Sequence, residues 1–213
     1  YASFAASNYQ NQDWRSAVDN YKYMVDIGCS ECGCLSGGRD AEDIYTYYGR
    51  SYIQLSKLDS ANYIFKQGLK YLKDDEVLLE NAQWTAGKLG HLEEQIYYLD
   101  NWLALDEANL EVLNKFSEVY KQNMMFEEQI QYLNMILKIN PSDKSANAEK
   151  KAAFQALGKD ELDVDKERWN ADPSNIQYGK EYIKGLLDRD RNDEAIITCN
   201  ALIVYDKYDT EIL

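Results

Sequence analysis

A repeat of fixed length narrows what this chain can fold into more than any other feature. Between residues 76 and 143 the same apolar pattern is written twice. Leu92 and Phe126, Leu99 and Leu133, Trp102 and Ile136, and Leu105 and Ile139 form pairs 34 residues apart. Within each copy the members are spaced by seven or three, which puts them on one face of a helix. A self-similar period of this length describes a supersecondary unit of two short helices. Such a unit cannot bury its apolar face alone, so it must stack on its neighbours.

The pattern runs beyond these two copies. Trp14, Leu58, Leu92 and Phe126 recur at the entrance of the second helix, and three residues later come Ala17, Ala61, Gln95, Gln129 and, later, Ala195. Further along come Tyr21, Phe65, Leu99, Leu133 and Cys199, then Ile27, Tyr71, Leu105, Ile139 and Tyr205. These rows are expected to form a buried seam.

On these residues the chain resembles the tetratricopeptide repeat family over essentially its whole length. The likeness is fullest at Tyr45, Tyr48, Gly49 and Tyr52, followed by Leu58, Ala61 and Phe65. Gly49 stands in the family's small slot, where the second helix approaches the first closely. Pro141 and Pro173 stand where the family ends a unit, since proline cannot continue a helix. Gln95 and Gln129 depart from the family's alanine.

The resemblance implies an all-α, right-handed superhelical solenoid of stacked antiparallel helix pairs. The units are about 1–31, 42–75, 76–109, 110–143, 144–175 and 176–209, with a cysteine-containing insertion at about 32–41. Residues 210–213 begin a further helix. The unit at 144–175 is short and highly charged, and its second helix is the least clearly marked. An array that opens and closes inside helices is expected to be a segment of a longer protein, or to have its ends covered, with end-to-end association as one consequence.

The balance of 23 Lys+Arg against 37 Asp+Glu gives a net charge of −14, which repels phosphate backbones and anionic lipid. Neither nucleic acid nor direct membrane insertion is therefore expected, and no apolar run approaches the ~20 residues that span a bilayer.

The array is interrupted by Cys29, Cys32 and Cys34, followed by Gly37 and Gly38. Three cysteines lack the fourth ligand of a zinc or iron–sulfur site, so no metal or cofactor is assigned. A local disulfide, Cys29 with Cys34 or with Cys32, accounts better for the cluster and leans towards an extracytoplasmic location. Cys199 falls on an inward row and reads as a buried free thiol. Gly33, Gly38, Arg39 and Asp40 fall short of a phosphate loop, which needs Lys and Ser/Thr after its second glycine. Asp188, Asp190 and Asn192 lack the glycine and glutamate of a calcium loop.

The single histidine, His91, sits in a turn without partners for nucleophilic chemistry, and no carboxylate pair stands out, so the chain is not read as an enzyme. Function is expected on the concave face formed by the first helix of each unit. Carried over from the family, its binding positions are Tyr9, Tyr47, Arg50, Asn81, Trp84, Lys88, Asn114, Lys115 and Lys121. Ile53, Glu118, Lys180 and Lys184 stand beside them. This set is depleted of acid relative to the chain, and Tyr, Arg and Trp are the residues that dominate binding hot spots. The reading is a non-catalytic scaffold or adaptor holding a peptide or protein partner. The alternatives are a redox or metal-binding protein built on the cysteine loop, or a structural segment of a larger assembly.

Overall fold

The computed structural model describes residues 2–31 and 39–205. Among them every regular element is an α-helix. The helices are α1 (Ala2–Gln10), α2 (Trp14–Glu31), α3 (Arg39–Gln54), α4 (Leu58–Tyr71), α5 (Glu76–Leu89) and α6 (Leu92–Leu103). They continue as α7 (Leu110–Gln122), α8 (Phe126–Ile139), α9 (Lys144–Ala156), α10 (Glu161–Ala171), α11 (Ile176–Leu187) and α12 (Asn192–Ile203). Contacts divide the chain into two compact units, Tyr1–Phe116 and Ser117–Leu213.

The tight turns inside the helix pairs follow one rule that the sequence shows only in part. Ser56, Gly90, Met124 and Gly158 all take left-handed backbone, with φ of 58°, 75°, 58° and 64°. They lie 34 residues apart, and Gln12 and Asp190 play the same role in the first and last pairs. At each, one left-handed residue reverses the chain and the second helix starts two or three residues on. Only glycine adopts this conformation without penalty, yet four of the six positions are not glycine.

Between pairs, polar caps start the next helix. The side chains of Asp75, Asp143 and Asn175 accept from backbone N–H groups in the first turns of α5, α9 and α11. Asp160 does the same for α10, so the charged stretch around residue 165 does form a helix.

In the first unit, α3 packs against both α1 and α5 as well as against its own partner α4, which puts the first helices of three pairs side by side in sequence order. The small slots carry the close approaches. Ala17 and Ala61 are fully buried, and a Cβ on Gly49 would overlap the ring of Phe65. Tyr21, Phe65 and Leu99 are buried as expected. In the second unit Leu133 is buried and Cys199 is a half-buried free thiol. A separate core there joins Leu162, Trp169, Tyr182, Leu186, Ala195 and Leu202.

One expected row is not buried. Ile27, Tyr71, Leu105, Ile139 and Tyr205 are all exposed. Tyr71 and Ile139 are the last residues of their helices, and Leu105 and Tyr205 lie beyond the ends of theirs, so the helix axis that would turn them inward has stopped. Trp102 and Ile136, three residues earlier, close the core instead. The expected bridge among Cys29, Cys32 and Cys34 lies outside the described residues.

Candidate functional site: the face around Arg50 and Trp84

Helical spacing puts Tyr47 and Arg50 together on α3, and Asn81, Trp84 and Lys88 together on α5. The two helices meet where Arg50 Nε donates to Asn81 Oδ1 at 3.0 Å. Asn81 is itself held, because its Nδ2 donates to the Val77 carbonyl one turn earlier at 2.5 Å. The guanidinium is thus fixed through its Nε by an anchored amide. Among the described residues its two terminal nitrogens have no hydrogen-bond partner.

From α1, Tyr9 packs edge-on against Tyr47 with ring centroids 4.8 Å apart, and against Trp14 at 5.1 Å. Burial raises the Tyr9 phenol above its ordinary range, the nearby Arg50 cation partly offsets this, and Tyr47 adds to it. Trp84 leaves 40% of its surface open, and the Lys88 ammonium lies 5.5 Å from the centre of its ring. Among the described residues no carboxylate stands within salt-bridge distance of Arg50 or Lys88. Tyr9, Tyr47, Arg50, Asn81, Trp84 and Lys88 therefore sit on adjoining helices of one unit.

The remaining sequence candidates are arranged differently. Asn114 Nδ2 turns back onto the Leu110 carbonyl of its own helix at 2.6 Å. Lys115 is held between Glu111 at 3.3 Å and Glu80 at 3.9 Å, with its ammonium over the Trp102 ring. In the second unit Lys121 pairs with Glu149 at 3.3 Å. Lys115 is thus paired with one acid on its own helix and one on α5, and Lys121 with one on α9, so the open positive charge of the candidate set narrows to Arg50 and Lys88.

A polar cluster that sequence reasoning missed ties α4 to α6. Glu94 Oε1 accepts from Asn62 Nδ2 at 3.2 Å and Tyr98 OH at 2.9 Å, and pairs with Lys66 Nζ at 2.7 Å. Burial alone would raise the Glu94 carboxyl, but these three partners outweigh it and hold the group below its ordinary value. His91 stands immediately before α6, with Nδ1 3.6 Å from Glu94 Oε2. Asn62 and Lys66 lie 32 and 28 residues from Glu94, and no motif links them.

Among the described residues no three His, Cys, Asp or Glu side chains gather as a metal site. No helix among them is long and apolar enough to cross a membrane.

No protein-family model and no curated protein matches the sequence. Solved structures do match. A tetratricopeptide repeat protein from Parabacteroides merdae is 15% identical, with 94% of this chain and 77% of that one covered and a TM-score of 0.59. The MamA protein is 13% identical over 89% of this chain and 91% of its own, also at 0.59. A putative kinesin light chain with TPR-like repeats from Podosopora anserina is 15% identical, covering 74% and 84%, at 0.55. With twelve described helices, the 34-residue spacing of their turns and these neighbours, the fold is that of the tetratricopeptide-like helical repeats.

Proposed function

We propose that this chain is a non-catalytic scaffold that binds a protein partner on the face formed by α1, α3 and α5. The observation that carries the reading is the Arg50–Asn81 bond beside the open Trp84. It presents an oriented guanidinium and an exposed indole on helices, within the unit where α3 packs against both α1 and α5. Arg and Trp are the side chains that most often dominate binding energy, and rigid presentation lowers the entropy that binding must overcome. The repeat fold supports the same reading, because stacked helix pairs expose extended faces suited to protein ligands.

A pull-down from the native source, comparing the wild-type chain with a Tyr47→Ala/Arg50→Ala/Trp84→Ala variant, tests this reading. A partner captured by the first and lost by the second is the expected result. A partner retained by both would move the binding surface off this face.

A further inference from the structure

We propose that copies of this chain associate head to tail, with the outer face of α12 in one copy packing against α1 of the next. This surface is separate from the partner face proposed above and does not depend on it.

The repeat register carries the argument. Counted from the left-handed turn residue of each pair, the residue eight places earlier is Tyr48, Ala82, Phe116 or Tyr182, all buried, or the half-buried Lys150. The same place on α1 is Phe4, which is 68% exposed. Nine places after the turn stand Tyr21, Phe65, Leu99 and Leu133 on α2, α4, α6 and α8, all buried. On α12 that place is Cys199, which is only half-buried. Six places after the turn, Val18, Asn62 and Ile130 are buried and Ile96 is half-buried, whereas Ile196 on α12 is 59% exposed. The helix α10 leaves these rows because its buried residues begin one place nearer its turn, at Leu162.

Contacts inside the chain show what covers these places. Tyr48 of α3 stacks on Tyr21 of α2 with ring centroids 6.4 Å apart, so the residue eight before one turn meets the residue nine after the preceding turn. Ile130 of α8 packs with Ala153 and Phe154 of α9, so the residue six after a turn is covered by the first helix of the following pair. The exposed side of α1 is therefore the half of a junction that a preceding second helix covers. The exposed side of α12 is the half that a following first helix covers. Each is the complement of the other. Phe4 of one copy meets Ile196 and Cys199 of another in the register that joins Tyr48 to Tyr21, and the small Cys199, in a row of Tyr, Phe and Leu, leaves room for its ring.

Charge favours a second copy as the occupant. In a chain of net charge −14, α1 carries no charged residue, and the acids of α12, Asp193 and Glu194, are confined to its first turn. Exposed Ile197 and Val204 extend the apolar surface beyond Ile196. Two acidic chains thus meet through helices that bring almost no like charge to the contact.

Sedimentation velocity on the full chain over a range of concentrations tests this. The wild type is expected to form species of increasing size, since a head-to-tail contact leaves one face free at each end of the assembly. Phe4→Glu and Ile196→Glu, both at exposed sites, should keep their circular dichroism and each lose about tenfold or more in self-affinity. An equimolar mixture of the two should give a dimer and nothing larger, because the first variant keeps its α12 face and the second its α1 face. Tyr97→Glu, at an exposed aromatic on α6, should assemble as the wild type does.

A wild-type chain that stays monomeric as concentration is raised would overturn the proposal and give these faces to another stretch of polypeptide. Association that both variants retain, or that mixing them does not restore, would place the contact elsewhere and overturn it as well.

Discussion

Gly49→Ala probes the contact on which the first unit's packing depends. Gly49 lies on α3 where Phe65 of α4 crosses it, and the Phe65 ring is 0% exposed. A Cβ placed on Gly49 would overlap that ring, with even the more distant Cδ1 at only 2.9 Å. A fully buried ring has no free volume to swing into, so the overlap must be relieved by separating the helices or straining a rotamer. Overpacking of this kind costs about 1–3 kcal/mol, and replacing glycine by alanine inside a helix returns up to about 1 kcal/mol. The net expectation is a loss of about 1–2 kcal/mol, which a urea titration followed by circular dichroism reads as a lower midpoint.

Two controls separate this account from a general effect of the substitution. Phe65→Leu alone should cost on the order of 1–2 kcal/mol for the void it leaves. Combined with Gly49→Ala it should cost less than the sum, by about 1 kcal/mol or more, because the new methyl fills that void. Gly87→Ala meets only the amide end of the half-buried Gln95 at 2.5 Å, which can rotate away, so its cost should be small. If Gly49→Ala is as stable as wild type, or the double variant is strictly additive, the close-packing argument fails.

The left-handed turns give a pair of opposite signs. Gly90→Ala has nothing within 4 Å of its new methyl but keeps φ at 75°, and should lose about 1 kcal/mol in thermal unfolding. Met124→Gly, at φ 58° with a side chain 78% exposed, should gain stability by up to about 1 kcal/mol. In the second unit, burial raises the Asp165 carboxyl to about 6, with Lys150 opposing the shift and Glu161 and Glu181 adding to it. The folded state therefore holds this proton to higher pH than the unfolded chain. The resulting stabilisation is complete below about pH 4 and is lost as pH rises through about 6. Asp165→Asn should match wild type near pH 4 and exceed it by on the order of 1–3 kcal/mol above about pH 7, read by denaturant midpoints across pH. Arg50→Ala or Trp84→Ala should weaken calorimetric binding of a captured partner by about 1–3 kcal/mol with helicity unchanged.

What the sequence makes legible is whatever repeats in side-chain type. The 34-residue recurrence of Leu99 and Leu133, and the small residues at Ala17, Gly49 and Ala61, carry the helix pairs and their close approaches because burial and volume depend directly on residue identity. The turns are less legible, since Ser56 and Met124 adopt left-handed backbone that their side chains do not announce. Four of the five residues in the Ile27 row mislead because helical spacing continues on paper where Tyr71, Leu105, Ile139 and Tyr205 stand at or beyond the ends of their helices, whereas Ile27 is exposed within α2. On the candidate face, residue types chosen by position alone include Arg50 and Asn81, 31 residues apart in sequence and bonded in the structure. Position cannot show which cations are already neutralised. Lys115 meets Glu80 and Lys121 meets Glu149, and both acids lie on other helices.

The central claim is that the α3–α5 face is where another protein sits. Site-specific photo-crosslinking tests it most directly. A photoactivatable amino acid is placed at Trp84, and in a second preparation at Tyr97, which is also exposed but lies on α6. Both are irradiated in the native source and the adducts identified by mass spectrometry. The account predicts a discrete adduct from position 84 that Arg50→Ala diminishes and that position 97 does not form. An adduct from position 97 alone, or the same adducts from both positions regardless of Arg50, would contradict it.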